Sequence, residues 1–175
     1  MDVCIKPRCL SGAVTPPPSK SMAHRAVLAL TLSDGKGVIF NVEDSQDIQA
    51  TKRCVETLKA SRPAGALPLL DCGESGSTLR FLIPIALAVA GGGLFTGRGR
   101  LMERPQQPYF DIFEEKGIQY ERKDGTLLVR GALTPGTYRL PGNVSSQFIT
   151  GLLFALPLLS GNSSLVSTTA LESSN

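Results

Sequence analysis

The sequence predicts an α/β fold in which short helices and strands alternate along 175 residues, the length of one domain. Three apolar helical segments each follow a Gly or Pro turn and begin with small hydroxyl residues. Short runs rich in β-branched and aromatic residues separate the helices, and one pair of runs meets at Asp124-Gly125, a dipeptide typical of hairpin turns. The predicted order is α-β-α-β-β, repeated once and begun a third time.

The first predicted helix runs from about Ser19 to Leu32 and is stopped by Asp34-Gly35. Residues 37–42 (GVIFNV) read as a strand, and the next helix begins at Asp44 or Ser45. Residues 67–72 (LPLLDC) then predict a short buried strand. The apolar positions expected on the two helices are Met22, Ala26, Val27 and Leu30 on the first, and Ile48, Thr51, Val55 and Leu58 on the second.

The second half of the chain continues the alternation. An apolar helix from about Gly76 contains Pro84 and ends at Gly91, and an amphipathic helix within residues 104–117 ends at Gly117. A third apolar helix lies within residues 143–161. The strands predicted between and after these helices are residues 94–97, the two arms of the hairpin in 118–131, residues 136–142 and residues 163–169.

Composition excludes several classes of protein. A net charge of +3, with no Trp, does not suggest nucleic-acid binding. The four cysteines have no C-x-x-C spacing and one His cannot complete a Cys/His metal site, so we expect small buried thiols and no metal. No signal peptide opens the chain, and the apolar runs at 81–90 and 151–159 are too short to span a bilayer. We therefore expect a reduced, cytoplasmic protein with no membrane partner.

The three helix starts predict binding of small anions, because free N–H groups and the helix dipole attract negative charge there. Capping by the same hydroxyls is the structural alternative. Lys20 and Arg25 accompany the first start and Arg80 the second, whereas Arg98 and Arg100 fit a solvated loop. Arg104 fits an anion site or an ordinary helix start with Pro105, and His24 fits a structural role. The hydroxyl clusters are Ser19-Lys20-Ser21, Ser75-Gly76-Ser77-Thr78 and Ser145-Ser146-Gln147.

Four segments in order resemble the 5-enolpyruvylshikimate-3-phosphate synthases (3-phosphoshikimate 1-carboxyvinyltransferases). They are PSKSMAHRA, whose family signature has His or Asn at the position of His24, DCGESGSTLRFL, LMERPQQPYFDIFEEKGI and LPGNVSSQFITGLLFALPL. The resemblance implies transfer of the carboxyvinyl group of phosphoenolpyruvate to the 5-hydroxyl of shikimate 3-phosphate. Phosphate is released, the pathway leads to chorismate and the aromatic amino acids, and no metal or organic cofactor is implied.

The same resemblance implies roles for individual residues. Lys20 would contact both substrates and act in catalysis, and Ser21 and Arg25 would hold shikimate 3-phosphate. Gly76 would let phosphoenolpyruvate approach the backbone, and Arg104 would bind its phosphate. The remaining implied ligands are Ser145, Ser146 and Ser173 for the phosphate of shikimate 3-phosphate, and Gln147 for the shikimate ring and phosphoenolpyruvate.

Family members are more than twice as long and fold as two domains of β-α-β-α-β-β units, an inside-out α/β barrel. Residues 1–12 would then be a strand of the second domain, and residues 13–175 an incomplete N-terminal domain. Acid and base carboxylates would belong to the other half, so an alternative is that this chain is a non-catalytic anion-binding half. Departures from the pattern are Glu74 for Asn, Phe81 for Pro and Ser77 for Thr.

A second enolpyruvyl transferase, the UDP-N-acetylglucosamine carboxyvinyltransferase, is a weaker match. It has Asn at the position of Ser21 and a reactive loop Cys, and no Cys follows Cys72 here.

Overall fold

The computed structural model describes residues 3–4, 6–9, 11–33, 36–61 and 66–171. From residue 46 onwards, helices and strands alternate as the sequence predicts, whereas the strand predicted between the first two helices does not form. Short 3-10 turns lie at Leu101–Glu103 and Leu156–Leu158. The helices and strands are α1 (Lys20–Leu32), α2 (Gln46–Ser61), β1 (Leu69–Asp71), α3 (Gly76–Ala90), β2 (Gly92–Thr96), α4 (Gln107–Lys116), β3 (Gln119–Lys123), β4 (Thr126–Arg130), β5 (Thr137–Leu140), α5 (Ser146–Ala155) and β6 (Ser164–Ser167).

One complete β-α-β-α-β-β unit is present, from β1 to β4, and it forms a four-stranded sheet in the order β1-β2-β4-β3. β1 and β2 are parallel, and the other two pairs are antiparallel. Asp124 and Gly125 both have positive φ, 49° and 72°, so the hairpin turn has the predicted conformation. β5 and β6 form a separate parallel pair. The α/β fold class is confirmed.

Helix α3 is the centre of the core, because nearly every position from Thr78 to Leu87 is buried. It packs against α2 and α5 and over the sheet. The contact with α5 depends on Gly151, since a methyl group there would lie 2.6 Å from the Arg80 carbonyl oxygen and against the Tyr109 hydroxyl. This close approach brings the beginnings of α3 and α5 side by side.

Several predictions about the first third of the chain are wrong. Residues 37–42 form no strand, and Phe40 is 83% exposed, because no described strand lies beside this segment to pair with it. Helix α1 buries Ala23, His24, Val27 and Leu28 and leaves Met22 62% exposed, so its buried face is rotated from the predicted stripe.

Two further predictions concern the beginning of the chain and the cysteines. The described residues among 3–12 form no strand, and Cys4 and Cys9 are exposed, whereas Cys54 and Cys72 are buried as predicted. The assignment of residues 1–12 to another domain stays a prediction. Asp34-Gly35, the predicted end of α1, lies outside the described residues. In the described part of the chain, no helix is long and apolar enough to cross a membrane.

Candidate anion-binding site

The first turns of α1, α2, α3 and α5 lie side by side at one end of the helical layer. Hydrogen bonds between side chains in the first two turns connect α1 to α2, α2 to α3 and α3 to α5. Each contact joins residues at least 27 positions apart, so the arrangement comes from helix packing. Four helix N-termini, and the partial positive charge of each, therefore face the same region.

At the start of α1, Ser19 caps the helix by accepting a hydrogen bond from the Met22 amide at 3.3 Å. Lys20 Nζ lies 2.7 Å from Asp47 Oδ2 at the start of α2, in an ion pair that is half exposed. Arg25 Nη1 donates to the Ser21 carbonyl at 3.5 Å. The first cation of the predicted site is thus already paired with a carboxylate of this chain.

Beneath that ion pair, a buried chain of hydrogen bonds joins three helices. His24 Nδ1 lies 2.8 Å from Thr51 Oγ1, and Thr51 Oγ1 lies 2.7 Å from Thr78 Oγ1. Thr78 Oγ1 donates in turn to Ser75 Oγ at 2.7 Å, and Ser75 caps α3. All four side chains are at most 1% exposed, so the spacing of the three helix starts is fixed from within the core.

His24 is held as a neutral imidazole by its surroundings. Burial lowers the pKa of His24 below its usual value, and the charges of Lys20 and Arg25 lower it further, against an opposing effect of Asp47. Its Nε2 is buried without a hydrogen-bond partner. This burial and the contact with Thr51 agree with a structural role for His24, which stays a prediction.

At the start of α3, Gly76 makes room for the side chain of Arg104. A methyl group on Gly76 would lie 2.7 Å from Arg104 Nη1, so an exposed guanidinium is placed directly over the helix N-terminus. An anion bound there would accept hydrogen bonds from the backbone N–H groups of α3 and from the guanidinium N–H groups of Arg104. Glu74 is exposed and lies toward Gly99 in the following loop.

At the start of α5, Ser145 caps the helix and Gln147 connects it to α3. Gln147 Nε2 donates to Ser77 Oγ at 2.8 Å, while Gln147 Oε1 accepts from Arg80 Nη1 at 2.9 Å. Arg80 Nη1 also lies 3.4 Å from Ser145 Oγ. Ser146, the first residue of the helix, is half-buried beside them.

Arg80 is the most constrained cation of the site. Its guanidinium lies 4.6 Å from the centre of the Phe148 ring, and its Nε is buried without a partner. Burial and, secondarily, the charge of Arg104 lower the pKa of the Arg80 guanidinium below its ordinary value. Arg80 and Arg104 both lie near helix N-termini, and no described carboxylate forms an ion pair with either.

The structure brings together some of the predicted ligands. Gly76 lies with Arg104, and Ser145 lies with Gln147, whereas the described contacts do not join Arg25 to Ser145 or Ser146. Ser173 lies outside the described residues. Which substrate each of these residues holds stays a prediction.

Other polar residues show where sequence reasoning succeeded and where it stopped. Arg98 and Arg100 pair with Asp71 and Glu103 at 3.8 and 2.9 Å, as expected of a solvated loop. Asp47 and Thr51 were missed as partners of Lys20 and His24. Their position in the first two turns of α2 is the sequence signal that could have identified both residues. No local pattern in the sequence, however, pairs them with residues of α1.

Comparison with known proteins gives a consistent result. The family model of EPSP synthase (3-phosphoshikimate 1-carboxyvinyltransferase) matches residues 5–174. A 3-phosphoshikimate 1-carboxyvinyltransferase of Clostridium beijerinckii is 46% identical over an alignment of 192 residues. The alignment covers 97% of this chain and 44% of the relative. The one from Clostridioides difficile is 45% identical, with 97% and 45% covered. This chain thus spans about 44% of the length of such relatives.

A solved EPSP synthase from Acinetobacter baumannii has the same fold over 90% of this chain and 41% of that one, with a TM-score of 0.71 at 22% identity.

Proposed function

This chain belongs to the EPSP synthase (3-phosphoshikimate 1-carboxyvinyltransferase) family, and from that membership we propose that the protein transfers the carboxyvinyl group of phosphoenolpyruvate to shikimate 3-phosphate. The shikimate 5-hydroxyl attacks C2 of phosphoenolpyruvate, the hydroxyl proton is lost, and C3 gains a proton to give a tetrahedral intermediate. Loss of that methyl proton and of phosphate then yields the enol ether. Both substrates carry phosphate and carboxylate groups, so the site must bind several negative charges at once.

One observation carries the proposal beyond family membership. Arg80 lies between the starts of α3 and α5, hydrogen-bonded to Gln147 and Ser145, and Arg104 lies over Gly76, yet neither forms an ion pair with a described carboxylate. Cations that have no carboxylate partner and lie at helix N-termini favour the binding of an external anion. A site built only for helix capping would not need these guanidinium groups.

The proposed roles follow the family pattern residue by residue. Arg104, with the backbone at Gly76, holds the phosphate of phosphoenolpyruvate, and Gln147 lies against the shikimate ring beside it. Lys20 lies between the two substrates, where its charge offsets that of the reacting groups. The proposed ligands of shikimate 3-phosphate are Ser21, Arg25, Ser145, Ser146 and Ser173.

We also propose that the 175-residue chain binds shikimate 3-phosphate but does not turn it over without further residues. Its relatives are more than twice as long, and an open half-site loses the proximity and the exclusion of water on which the reaction depends. Residues 1–12 are proposed to contribute to that remainder rather than to the domain of residues 13–175. The exposed free thiols of Cys4 and Cys9 support a reducing, cytoplasmic environment.

Two measurements test this proposal. A chimera of this chain with the unmatched remainder of the Clostridium beijerinckii relative should release phosphate from shikimate 3-phosphate and phosphoenolpyruvate, whereas the chain alone should not. In titration calorimetry, the chain alone should bind shikimate 3-phosphate more tightly than unphosphorylated shikimate. Equal affinity for the two ligands would contradict the anion site, and an inactive chimera that folds would contradict the transferase activity.

A further inference from the structure

Arg122 on strand β3 reaches back across the surface to the segment that carries Arg104. Its Nη2 donates a hydrogen bond of 2.7 Å to the main-chain carbonyl of Arg104, 18 residues earlier. The donor is charged and the distance is short, which is typical of the stronger class of hydrogen bond. This contact therefore restrains the backbone from which the Arg104 side chain projects.

An aromatic surface holds Arg122 in place for this contact. Its guanidinium carbon lies 5.2 Å from the centre of the Phe110 ring on α4. Phe110 stacks on Tyr120, with ring centres 4.2 Å apart and planes 7° apart. Tyr120 in turn donates to Glu114 at 2.9 Å. The guanidinium thus lies over a rigid stack and has fewer accessible rotamers than a free surface arginine.

The segment that Arg122 contacts has little regular structure of its own. Arg104 follows the 3-10 turn Leu101–Glu103 with extended backbone angles, φ −61° and ψ 137°, and Pro105 precedes α4. Gln106 is only 1% exposed, and its Nε2 lies 3.5 Å from the same Arg104 carbonyl. The Arg104 carbonyl therefore accepts hydrogen bonds both from Arg122 on the sheet and from the buried Gln106. These two bonds attach the connection between the 3-10 turn and α4 to the sheet and to the core.

We propose that Arg122 is a positioning residue that keeps the Arg104 guanidinium over Gly76 by holding the Arg104 main chain. This inference rests on the proposed role of Arg104 as a ligand of the phosphate of phosphoenolpyruvate. Arg122 acts through Arg104 and does not itself contact the substrate. Without the hydrogen bond, the Arg104 side chain samples more orientations. Phosphate binding then includes the entropic cost of ordering that side chain, which weakens the affinity.

The main test is a double-mutant cycle on phosphoenolpyruvate binding to the full chain in saturating shikimate 3-phosphate. Arg122→Ala should raise the dissociation constant about tenfold, and Arg104→Ala about 10- to 100-fold. In the Arg104→Ala background, Arg122→Ala should have no further effect, because its influence passes through Arg104. Arg122→Lys, which keeps a donor, should restore part of the affinity.

Lys123→Ala is the matched control, since it removes the same charge from the next, exposed position of the same strand. It should leave affinity unchanged once salt is near physiological, where exposed charges are screened. An equal effect of Arg122→Ala and Lys123→Ala, or an undiminished effect of Arg122→Ala without Arg104, would overturn the proposal and indicate attraction by net charge alone.

A second readout does not depend on ligand. The heteronuclear NOE of Arg104 Nε in the ligand-free chain should fall in Arg122→Ala and remain at the wild-type value in Lys123→Ala. An Arg104 side chain that is equally ordered in both variants would overturn the positioning role. If the wild-type chain fails to bind phosphoenolpyruvate while the NOE changes as expected, the positioning contact stands, and the same cycle is read from the KM for phosphoenolpyruvate of the chimera. An undiminished effect of Arg122→Ala without Arg104 there would overturn the proposal.

Discussion

The start of α1 and the neighbouring starts of α3 and α5 carry similar residues, but their cations have different partners. At α1, Lys20 forms an ion pair of 2.7 Å with Asp47 of the same chain. At α3 and α5, Arg80 and Arg104 form no ion pair with the described carboxylates, and burial, followed by the charge of Arg104, lowers the pKa of Arg80. The first region pairs its cation with a carboxylate of the chain, whereas the cations of the second region have no such partner among the described residues.

This difference predicts an order of binding strength. A ligand at α1 must compete with Asp47, although exposed ion pairs are worth only about 0.2–1 kcal/mol and the cost is modest. A ligand at α3 and α5 instead meets cations for which no described carboxylate competes. Arg80 and Arg104 should therefore dominate the binding of a single anion, whereas Lys20, which is paired with Asp47, should contribute less to it.

The largest expected effect is that of Lys20→Met on catalysis by the chimera. Loss of a charge that acts on the reacting groups should lower kcat/KM by about 100- to 1,000-fold, mostly through kcat. Arg104→Ala should instead act mainly through the KM for phosphoenolpyruvate. Steady-state kinetics would separate the two, and near-normal turnover in Lys20→Met would remove it from the mechanism.

Gly151→Ala should weaken the second region by separating α5 from α3. The added methyl group would collide with Tyr109 and the Arg80 carbonyl, and overpacking of this kind costs about 1–3 kcal/mol of unfolding free energy. Urea denaturation would measure it. Leu153→Ala, at a site 58% exposed on the same helix, is the control and should change stability by less than about 0.5 kcal/mol. Equal losses would mean that the two helices tolerate separation.

Asp47→Asn tests the start of α1, where the expected effect is a gain in anion affinity. Releasing Lys20 from its ion pair should raise the affinity for inorganic phosphate about two- to fivefold at low salt. Asp44→Asn removes the same charge just before α2 from a residue that pairs with Lys52, so it reports the general electrostatic contribution. If both variants gain equally, Lys20 is not restrained by Asp47 in solution.

The smallest expected effect is on stability at acid pH. Because burial lowers the folded pKa of His24, the unfolded chain binds the proton more readily. The stability that the neutral imidazole provides is full above about pH 6.5, the ordinary His pKa, and is lost as the pH falls below it. Thermal melts between pH 7.5 and 5 should show a weaker dependence in His24→Asn, where an amide replaces the titrating ring. An unchanged slope would show that His24 is not the group responsible.

Local patterns in the sequence were reliable because they depend on near neighbours. The caps Ser19, Ser75 and Ser145 and the turn at Asp124-Gly125 lie where the sequence placed them. Residues 37–42 have the composition of a strand but no described strand beside them, and strand formation needs such a neighbour. The buried face of α1 was misjudged because a histidine on it finds a hydroxyl on α2.

The sequence by itself determined the α/β alternation, the three capped helix starts, the cations beside them and the resemblance to one enzyme family. These follow from residue type, short-range spacing and motif order, which a linear reading contains. Only the tertiary structure decided that Lys20 meets Asp47, that Arg80 meets Gln147 and that Arg122 holds Arg104. These partners are 27, 67 and 18 residues apart, so their distances are set by the packing of helices and strands, on which local spacing carries no information.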